Sequence, residues 1–524
     1  MAYAITQACC ADASCVSACP VNCIHPTPDE PDFGTTDMLF IDPATCIDCG
    51  ACADACPVDA AKPDDQLTGS LVAYLERNRE YFHGPAATSG AAATQSAGAV
   101  KSAARASTAG LRTTREYPRP LPAAAGSLRV AVVGTGPSAG YTVAELLRCT
   151  DADITVIDRS PVAGGLVRFG VAPDHPDTKR IGDTFARTFR HPRVSMHLGV
   201  DVGRDISHDD ILASHHAVIY ATGAESPRDL GIAGEHLPGS IAAMDFLAWA
   251  NGMPGASAET IRLDTERAVV VGNGNVAIDV ARLLLSGPGR LGATGIAPAA
   301  LEALRTSTVS EVVLLARRGP ADAAFAPKEF LGLGQLPGLE VVIDGDPGVT
   351  GEIAECGPMS AAALLRETPL TDIDWDRPPS GAPRLVLRFH SAPLEAAGDG
   401  RVETITVSDR NTGTREIPAG LLVRSIGSRG TPIPGLPFDE GTGLIPNDGG
   451  RVAPGSYVTG WAKRGATGGI GANRACAAET VGALLDDAEA GQLPAPARSS
   501  RAFSRLTRTG RKTSSWKAPT LSAS

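Results

Sequence analysis

The chain has 524 residues, which is enough for two or three domains, and its formal net charge is −11. This negative balance argues against nonspecific binding of nucleic acid by the whole chain. No apolar run reaches the roughly 18 residues that a membrane span needs. The N-terminal sequence MAYAITQACC lacks the basic and apolar regions of a signal peptide. We therefore expect a cytoplasmic protein without a membrane span.

Nine of the twelve cysteines lie within residues 9–56. The later ones have the iron–sulfur spacing of bacterial ferredoxins, and they are Cys46, Cys49, Cys52 and Cys56, followed by Pro57. Structural zinc is the alternative for this spacing. A disulfide-rich module is the alternative for the cysteine content, but disulfides are disfavoured in a cytosolic chain. The spacing therefore predicts an iron–sulfur module.

An upstream run repeats this spacing with an aspartate in the second cysteine position, and it reads Cys9, Asp12, Cys15, Cys19, Pro20. Residues 1–70 thus resemble a two-cluster ferredoxin, in which the last cysteine of each run crosses over to the other cluster. That resemblance implies one [4Fe–4S] cluster on Cys19, Cys46, Cys49 and Cys52. It implies a second cluster on Cys9, Cys15 and Cys56.

Asp12 decides the type of the second cluster. If its carboxylate ligates iron, the cluster is [4Fe–4S]; if it does not, three thiolates hold a [3Fe–4S] cluster, which is the preferred interpretation. Cys10 is an alternative ligand to Cys9, and Cys23 is expected to be a buried free thiol near a cluster. The many acids of this module are expected to be solvated, and they can also help a redox partner to find it.

A short amphipathic helix is predicted over residues 71–82. Residues 84–126 are rich in Ala, Gly, Ser and Thr and almost lack large apolar side chains, so they cannot support a core. We expect a flexible linker there, which would hold the iron–sulfur module near the rest of the chain.

A dinucleotide-binding unit is predicted at residues 128–160. An apolar strand at 130–133 leads into Gly134 and Gly136, then a helix, then a second apolar strand that ends in Asp158. Gly134 permits the tight turn, and Gly136 lets the backbone approach a pyrophosphate at the helix N-terminus. Asp158 lies 22 residues beyond Gly136, where a carboxylate usually binds a ribose hydroxyl. A purely structural glycine turn is the alternative.

A second unit begins with the strand at 268–271, followed by Asn273, Gly274 and a helix. The next strand, at 312–315, ends in Arg317 and Arg318. An acid at this point would suit a bare ribose, whereas paired guanidinium groups suit a 2′-phosphate. The sequence therefore favours NADP over NAD, with a solvated strand end as the alternative for the two arginines.

The C-terminal part returns to a strand, a glycine-rich turn and a predicted helix at 470–485. Residues 497–524 contain seven Lys or Arg and no acid. We expect a disordered tail, or alternatively a clamp on an acidic surface such as that of the iron–sulfur module. The remaining cysteines are Cys149, Cys356 and Cys476, and they form no C-x-x-C motif. Their isolation argues against a thioredoxin-reductase-type disulfide enzyme.

These motifs carry a family resemblance over roughly 128–490. The body looks like an adrenodoxin reductase-type ferredoxin–NADP reductase because of the stretches GTGPSAG, GLVRFGVAPDHP, VIYATGAESPRDLGIAGE, GNGNVAIDVAR, ARRGPADAAFAPKE and GWAKRGATGGIG. With the N-terminal module, the chain resembles the actinobacterial fused ferredoxin/ferredoxin–NADP reductases. Two departures are Asp158, where the family more often has Glu, and Gly164, where a bulkier residue is usual.

The resemblance implies an α/β fold with two Rossmann-like nucleotide-binding domains of the GR2 type, preceded by an α+β bacterial two-cluster ferredoxin domain. The implied boundaries are a ferredoxin-like domain at 1–70, a helix and flexible linker at 71–127, an FAD-binding domain at 128–223 and 426–496, an NADP-binding domain at 224–425, and a basic disordered tail at 497–524.

Site residues are implied by matching each motif to the family. The FAD contacts are expected at Gly134, Gly136, Ser138, Asp158, Leu166, Val202, Trp461, Gly468, Gly469 and Ile470. The NADP contacts are expected at Asn273, Gly274, Asn275, Val276, Arg317, Arg318, Glu329 and Gly468. The catalytic pair that assists near the flavin is expected to be His175 and Glu329. The alternatives are a packing role for His175 and Trp461 and a surface position for Glu329.

The predicted activity is that of a ferredoxin–NADP(+) reductase. NADPH would deliver a hydride to FAD, and single electrons would pass to the iron–sulfur clusters and then to a ferredoxin or another one-electron acceptor protein. The expected cofactors are FAD, NADP(H), one [4Fe–4S] cluster and one [3Fe–4S] or [4Fe–4S] cluster. The alternatives are an electron-input subunit like the small subunit of glutamate synthase and a nucleotide-responsive redox sensor.

Overall fold

The computed structural model describes residues 2–84, 128–256, 261–345, 347–357, 360–409 and 413–507. The chain divides into two compact units. The first unit comprises Met1–Arg115, Asp229–Phe246 and Ser257–Ser425, and the second comprises Glu116–Arg228, Leu247–Ala256 and Ile426–Ser524. Residues 85–127, where the flexible linker is expected, lie outside the described residues.

Residues 2–84 form a small α+β region of the first unit. Its elements are β1 (Tyr3–Ile5), α1 (Ser14–Ala18), β2 (Ile24–His25), β3 (Phe40–Ile41), α2 (Ala51–Ala55), β4 (Ala61–Pro63) and α3 (Ala73–His83). β1 pairs with β4 and β2 pairs with β3, both antiparallel. The buried amide of Asn78 on α3 joins the two pairs, because its Oδ1 accepts from the backbone N–H groups of Ile5 (3.1 Å) and Ile41 (2.8 Å). α3 corresponds to the helix predicted over residues 71–82 and begins two residues later.

Residues 128–228 begin the second unit. Their elements are β5 (Arg129–Val133), α4 (Pro137–Cys149), β6 (Asp153–Asp158), α5 (Gly165–Phe169), α6 (Pro176–Lys179), α7 (Ile181–Phe189), β7 (Val194–Leu198), α8 (His208–Leu212), β8 (Ala217–Tyr220) and β9 (Ser226–Pro227). β5 and β8 are almost wholly apolar and buried, as expected of the centre of a parallel sheet.

Residues 229–425 belong to the first unit, apart from Leu247–Ala256. The strands are β10 (Ser240–Ala242), β11 (Arg267–Val271), β12 (Glu311–Leu315), β13 (Glu340–Asp344), β14 (Leu370–Thr371), β15 (Arg384–Arg388), β16 (Pro393–Ala397), β17 (Thr404–Asp409), β18 (Gly413–Pro418) and β19 (Leu421–Arg424). The helices are α9 (Ala243–Ala250), α10 (Asn275–Leu285), α11 (Pro288–Leu291), α12 (Pro298–Arg305), α13 (Pro327–Gly332) and α14 (Pro347–Glu355).

Residues 426–507 complete the second unit. Their elements are β20 (Ser428–Arg429), β21 (Arg451–Ala453), β22 (Ser456–Val458), α15 (Trp461–Arg464), α16 (Ala472–Glu489) and α17 (Ser500–Leu506). α16 corresponds to the helix predicted over 470–485 and extends four residues further.

Each unit is built on one large sheet. In the first unit the order is β10-β19-β11-β12-β15-β13-β14, and all neighbouring strands are parallel. In the second the order is β21-β22-β8-β5-β6-β7, parallel except for the β21–β22 pair. In such sheets ligands bind beyond the carboxyl ends of the strands, where the order reverses. The two glycine turns follow β5 and β11, at that edge of each sheet.

The expectation of a disordered tail from 497 onward is wrong for α17. Ser499 caps this helix by accepting a hydrogen bond from the N–H of Ala502 at 3.3 Å. Phe503 is 1% exposed and packs edge-on against the rings of His197 and His215. One buried aromatic side chain therefore anchors a segment whose composition is otherwise polar and basic. Residues 508–524 lie outside the described residues.

Candidate redox and nucleotide sites

Of the five cysteine side chains that line one cavity near the surface of the N-terminal region, four belong to a single predicted cluster. They are Cys19, Cys46, Cys49 and Cys52, the set implied for the [4Fe–4S] cluster. Cys23 also lines this cavity, and its Sγ lies 3.4 Å from Sγ of Cys19. It is 4% exposed, so the prediction that Cys23 is buried is confirmed. A convergence of four thiols is the donor set that an iron–sulfur cluster requires.

The two halves of the module have the same backbone geometry. Ala11 and Ala13 in the first run, and Asp48 and Gly50 in the second, all have φ between 54° and 75°. α1 and α2 follow these turns, and each helix ends at the last cysteine of its run, Cys19 or Cys56. Left-handed turns wrap the chain tightly around the cysteine side chains, and alanine is an unusual residue in that conformation. The internal repeat is therefore present in the fold as well as in the spacing.

Cys9, Cys15 and Cys56 form the second group. Burial raises the pKa of the Cys9 and Cys15 thiols, and the neighbouring thiols of the same group raise it further. Ionised thiolates would therefore be unstable together here unless a cation compensated their charge, and the iron of a cluster supplies that charge. The residues present fit a second cluster.

Asp12 occupies the position that Cys49 holds in the other half. Its carboxylate accepts hydrogen bonds from Ser14, at 2.5 Å from the hydroxyl and at 3.2 Å from the backbone N–H. Asp12 therefore holds the turn that leads into α1.

The first glycine turn lies in the second unit, between β5 and α4. Gly134 has φ 115°, and a Cβ on it would lie 2.4 Å from the carbonyl oxygen of Ala221. A Cβ on Gly165 would lie 2.7 Å from Cα of Gly136. At the N-terminus of α4, two loops are therefore so close that only glycines, which lack a side chain, fit between their backbones. This is the cradle that a dinucleotide pyrophosphate requires, so the residues present fit FAD.

Asp158 ends β6 beside this turn. Its carboxylate accepts hydrogen bonds from the hydroxyl of Thr135 at 2.6 Å and from the N–H of Ser160 at 2.7 Å. Burial raises its pKa, and the bond from Thr135 opposes that shift. The side chain is held at the strand end, where a ribose would lie.

A buried hydrogen-bond network joins the N-termini of α4 and α16, and the sequence did not predict it. The hydroxyl of Ser138 donates to Oδ1 of Asn473 at 2.7 Å, and the guanidinium of Arg464 donates to the same oxygen at 3.1 and 3.2 Å. The amide nitrogen of Asn473 donates to the carbonyls of Gly469 and Ile470. One asparagine therefore fixes the glycine-rich turn against α4. The only sequence signal was its place at the start of α16.

The other expected FAD contacts lie in the same unit. Trp461 is half-buried, and its indole N–H donates to the carbonyl of Thr467 at 3.0 Å, so it is not simply a core residue. Leu166 lies in α5 and is half-buried. Val202 pairs with Ile206 in an isolated bridge and packs against the apolar core of this unit.

His175 precedes α6 in the loop that contains the GLVRFGVAPDHP motif. This loop is fixed by two side chains that the sequence did not single out. Nζ of Lys179 donates to the carbonyl of Arg168 at 2.9 Å and to Asn251 at 2.7 Å. The amide of Asn251 donates to the carbonyls of Phe169 and Val171. These hydrogen bonds fix the backbone at residues 168–171, a few positions before His175.

The second glycine turn, between β11 and α10, lies in the first unit. Gly272 has φ 117°, close to the 115° of Gly134, so the two turns correspond. Oδ1 of Asn275 accepts a hydrogen bond from the N–H of Ala326 at 2.6 Å. The turn and α10 expose backbone N–H groups in the same way as the first unit does, so the residues present fit a second dinucleotide.

Arg317 and Arg318 are both exposed at the end of β12. Arg318 is paired with Asp322 at 2.7 Å. Its carbonyl accepts a hydrogen bond from the N–H of His390, whose ring contacts Glu352 at 2.8 Å. His390 was not predicted as a neighbour of this arginine pair, because it lies 72 positions beyond Arg318 in the chain.

α13 connects the second dinucleotide site to the ferredoxin-like region within the first unit. Glu329 on this helix is 7% exposed, so the alternative of a surface acid is wrong. The neighbouring Lys328 donates from Nζ to the carbonyl of Cys9 at 2.7 Å, and its own carbonyl accepts from the hydroxyl of Tyr74 at 3.0 Å.

Comparisons with known proteins agree with this architecture. The family model described as pyridine nucleotide-disulphide oxidoreductase matches residues 128–318, and the 4Fe-4S dicluster domain matches residues 8–60. The fold and these matches define the class as pyridine-nucleotide flavoprotein oxidoreductases joined to a dicluster ferredoxin domain. In the described ranges, no helix has the length and apolar character needed to cross a membrane.

Similar proteins identify the family within this class. A probable ferredoxin/ferredoxin–NADP reductase of Mycobacterium tuberculosis is 44% identical over 97% of this chain and 87% of that protein. The counterpart in Mycobacterium leprae is 42% identical over 95% and 88%. The structure of M. tuberculosis FprA in complex with NADPH covers 73% of this chain and 90% of its own, with 39% identity and a TM-score of 0.66. The chain belongs to the ferredoxin/ferredoxin–NADP reductase family, as its motifs predicted.

Proposed function

We propose that the chain is an NADPH:ferredoxin oxidoreductase that contains its own ferredoxin. The observation that carries this proposal is the combination, in one chain, of two glycine-turn dinucleotide sites with a module in which the four cysteines of one predicted cluster line a single cavity. The names of the mycobacterial relatives and the NADPH complex of FprA support it.

FAD is proposed to bind in the second unit. The residues that would hold it are Gly134, Gly136, Ser138, Asp158, Leu166, Val202, Trp461, Gly468, Gly469 and Ile470. When bound, FAD takes up the electron pair of a hydride and gives up single electrons. The N-terminus of α4 would bind the pyrophosphate, Asp158 would bind the ribose, and Trp461 would lie against the ring system. Asn473 would keep the glycine-rich turn in place.

NADPH is proposed to bind at the second glycine turn, with a shared contact at Gly468. The residues of this site are Asn273, Gly274, Asn275, Val276, Arg317, Arg318 and Glu329. The arginines would bind the 2′-phosphate, since a guanidinium matches phosphate oxygens with two parallel hydrogen bonds. His175 and Glu329 are the proposed catalytic pair, with proton handling near the flavin as their role.

The iron–sulfur assignments follow the cysteine groups. We infer a [4Fe–4S] cluster on Cys19, Cys46, Cys49 and Cys52. A [3Fe–4S] cluster is preferred on Cys9, Cys15 and Cys56, because this group has three thiolates and Asp12 stands where the other run has its second cysteine. The final acceptor is a ferredoxin or another one-electron carrier protein. A cytoplasmic location is proposed because cluster thiolates must stay reduced.

An anaerobic titration of the purified holoprotein with NADPH and then NADH, followed by visible absorbance, tests the function. Bleaching of flavin and then cluster bands at far lower NADPH than NADH is expected. Flavin bleaching without cluster bleaching would remove the fused ferredoxin from the direct route. No bleaching with either nucleotide would contradict the proposed function.

A further inference from the structure

The ferredoxin-like region is poor in cations of its own. Residues 1–70 contain eleven acidic side chains, one lysine and no arginine. That lysine, Lys62, is paired with Asp59 at 2.5 Å. Any other cation that acts on a cluster in this region comes from another part of the chain. The two proposed cluster sites are the Cys9 site, with Cys9, Cys15 and Cys56, and the Cys46 site, with Cys19, Cys46, Cys49 and Cys52.

Lys328 on α13 supplies such a cation to the Cys9 site. Its ammonium donates to the carbonyl of Cys9 at 2.7 Å. Its main chain is bonded to the same region on both sides. The N–H of Lys328 donates to the carboxylate of Asp37 at 3.2 Å, and its carbonyl accepts from the hydroxyl of Tyr74 at 3.0 Å. The positive charge is therefore held in a fixed position beside a proposed cluster ligand.

The C-terminal end of α13 packs closely on the ferredoxin-like region. A Cβ on Gly332, the last residue of this helix, would lie 2.4 Å from Nε2 of Gln7. The amide of Gln335 donates to Oε1 of Gln7 at 3.3 Å. Within the Cys9 site, Cys9 and Cys15 are 6% and 7% exposed. Because these thiols are shielded from water, a nearby charge acts on them with less screening than at the surface.

The two sites differ in the sign of the charge that acts on them. Burial raises the pKa of the Cys9 thiol, and the charge of Lys328 opposes this rise, so its field reaches the sulfur. Tyr3 lines the cavity of the Cys46 site. Burial raises the pKa of Tyr3, and Asp48 and Asp54 raise it further. An added electron is stabilised by a neighbouring cation and destabilised by neighbouring acids.

We propose that Lys328, a residue of the proposed NADP-binding domain, raises the reduction potential of the cluster at the Cys9 site relative to that of the cluster at the Cys46 site. This inference rests on the proposed function, which supplies the clusters and the electrons. Oxidation of one NADPH gives NADP⁺, one proton and two electrons, and each cluster takes up one of these electrons. Lys328 exchanges no electron or proton itself, and its charge stabilises the reduced form of one cluster.

A potentiometric titration of the full-length holoprotein with dithionite and redox mediators, followed by electron paramagnetic resonance, gives the midpoint potential of each cluster. Lys328→Gln removes the charge and keeps a side-chain donor. At a fixed potential, we expect the ratio of reduced to oxidised cluster at the Cys9 site to fall by about threefold or more, which corresponds to a midpoint lower by about 28 mV. Lys328→Arg keeps the charge and should retain the wild-type midpoint. The midpoint at the Cys46 site should be unchanged in both variants.

Asp37→Asn separates the effect of charge from that of packing. Asparagine keeps an oxygen that accepts from the N–H of Lys328, but it removes an acid whose charge acts on Lys328. The midpoint at the Cys9 site should therefore rise, opposite to the change in Lys328→Gln. A lower midpoint in both variants would assign the shift to loosened packing and overturn the proposal. Lys463→Gln removes a lysine charge in the second unit and is the control, with both midpoints as in the wild type.

Three other results would overturn the proposal. They are an unchanged midpoint at the Cys9 site in Lys328→Gln, equal shifts at both sites, and a holoprotein that shows no resonance from a second cluster. Reduction by NADPH is measured separately on the same samples. If NADPH bleaches neither flavin nor clusters while Lys328→Gln still lowers the midpoint at the Cys9 site, the proposed function fails and the role of Lys328 stands.

Discussion

The ammonium of Lys328 donates a hydrogen bond to the backbone carbonyl of Cys9 at 2.7 Å. Lys328 lies beside Glu329, a proposed nucleotide-site residue, and Cys9 is a proposed cluster ligand. Burial opposes the charged form of Lys328, but Glu329 and Cys9 together keep its pKa above the usual value. The lysine therefore remains charged and connects the ferredoxin-like region to α13.

Replacing Lys328 by methionine should loosen that connection. The carbonyl of Cys9 would lose a charged donor, which costs about 1.5–3 kcal/mol. We expect faster hydrogen exchange in residues 2–84, measured by mass spectrometry. Lys328→Arg keeps the charge and should exchange more slowly than Lys328→Met. Identical exchange in wild type and Lys328→Met would show that the contact does not hold the module.

Replacing Asn473 by alanine should weaken FAD retention. The hydroxyl of Ser138 and the guanidinium of Arg464 would lose their shared acceptor, so the glycine-rich turn would no longer be fixed against α4. We expect the Kd for FAD, measured by flavin fluorescence, to rise about tenfold, which corresponds to 1.4 kcal/mol. Glu479→Ala on the same helix breaks only an exposed pair with Lys463 and serves as the control. A normal Kd in Asn473→Ala would contradict the role of the network.

Arg317→Ala should reduce the preference for NADPH. Loss of a charge-assisted hydrogen bond to the 2′-phosphate should raise the Kd for NADPH about 10- to 100-fold and leave that for NADH unchanged. Arg318→Ala should have a smaller effect, because Arg318 is already paired with Asp322. Arg305→Ala, at the exposed end of α12, is the control. Equal losses for both nucleotides would point to general damage rather than to phosphate recognition.

Asp12→Cys should convert the second cluster from [3Fe–4S] to [4Fe–4S], because it supplies the missing fourth thiolate. If Asp12 does not ligate iron, the oxidised wild type shows a [3Fe–4S] resonance, and Asp12→Cys replaces it with a second reduced [4Fe–4S] resonance. Asp12→Asn should leave the [3Fe–4S] resonance in place. If the wild type instead contains two [4Fe–4S] clusters and Asp12→Asn contains one iron fewer, the carboxylate of Asp12 is a ligand.

His215 should make folding sensitive to acid. Burial lowers its pKa to about 4, and its ring nitrogens contact the carbonyl of Ile211 and the hydroxyl of Thr155, both at 2.9 Å. The unfolded chain takes up this proton near pH 6.5, but the folded chain resists it until about pH 4. Above pH 6.5 His215 is neutral in both states and does not lower the free energy of unfolding. As the pH falls from 6.5 toward 4, the free energy of unfolding decreases by on the order of 3 kcal/mol because only the unfolded chain takes up the proton.

Chemical denaturation at a series of pH values checks this dependence. His215→Gln should be less stable at pH 7 but should show a shallower decline between pH 6.5 and 4. His236→Gln, which changes an exposed histidine, should keep the wild-type slope. An unchanged slope in His215→Gln would assign the acid sensitivity to other groups.

The sequence by itself determined the features that depend on local spacing. Cysteines at fixed intervals predicted the two thiol groups, and Gly134 and Gly272 each follow an apolar strand that the fold buries. These features were predictable because a tight turn or a cluster-binding loop restricts the residues that immediately surround it. The family also followed from such motifs, since each keeps its own residues close together in the chain.

Only the tertiary structure decided which distant residues meet. Ser138 contacts Asn473 across 335 positions, and Lys328 reaches Cys9 across 319. Polar groups of this kind carry no periodic signal, because their partners are chosen by the packing of helices and sheets. The same reason explains α17, where one buried ring, Phe503, anchors a segment whose composition predicts disorder.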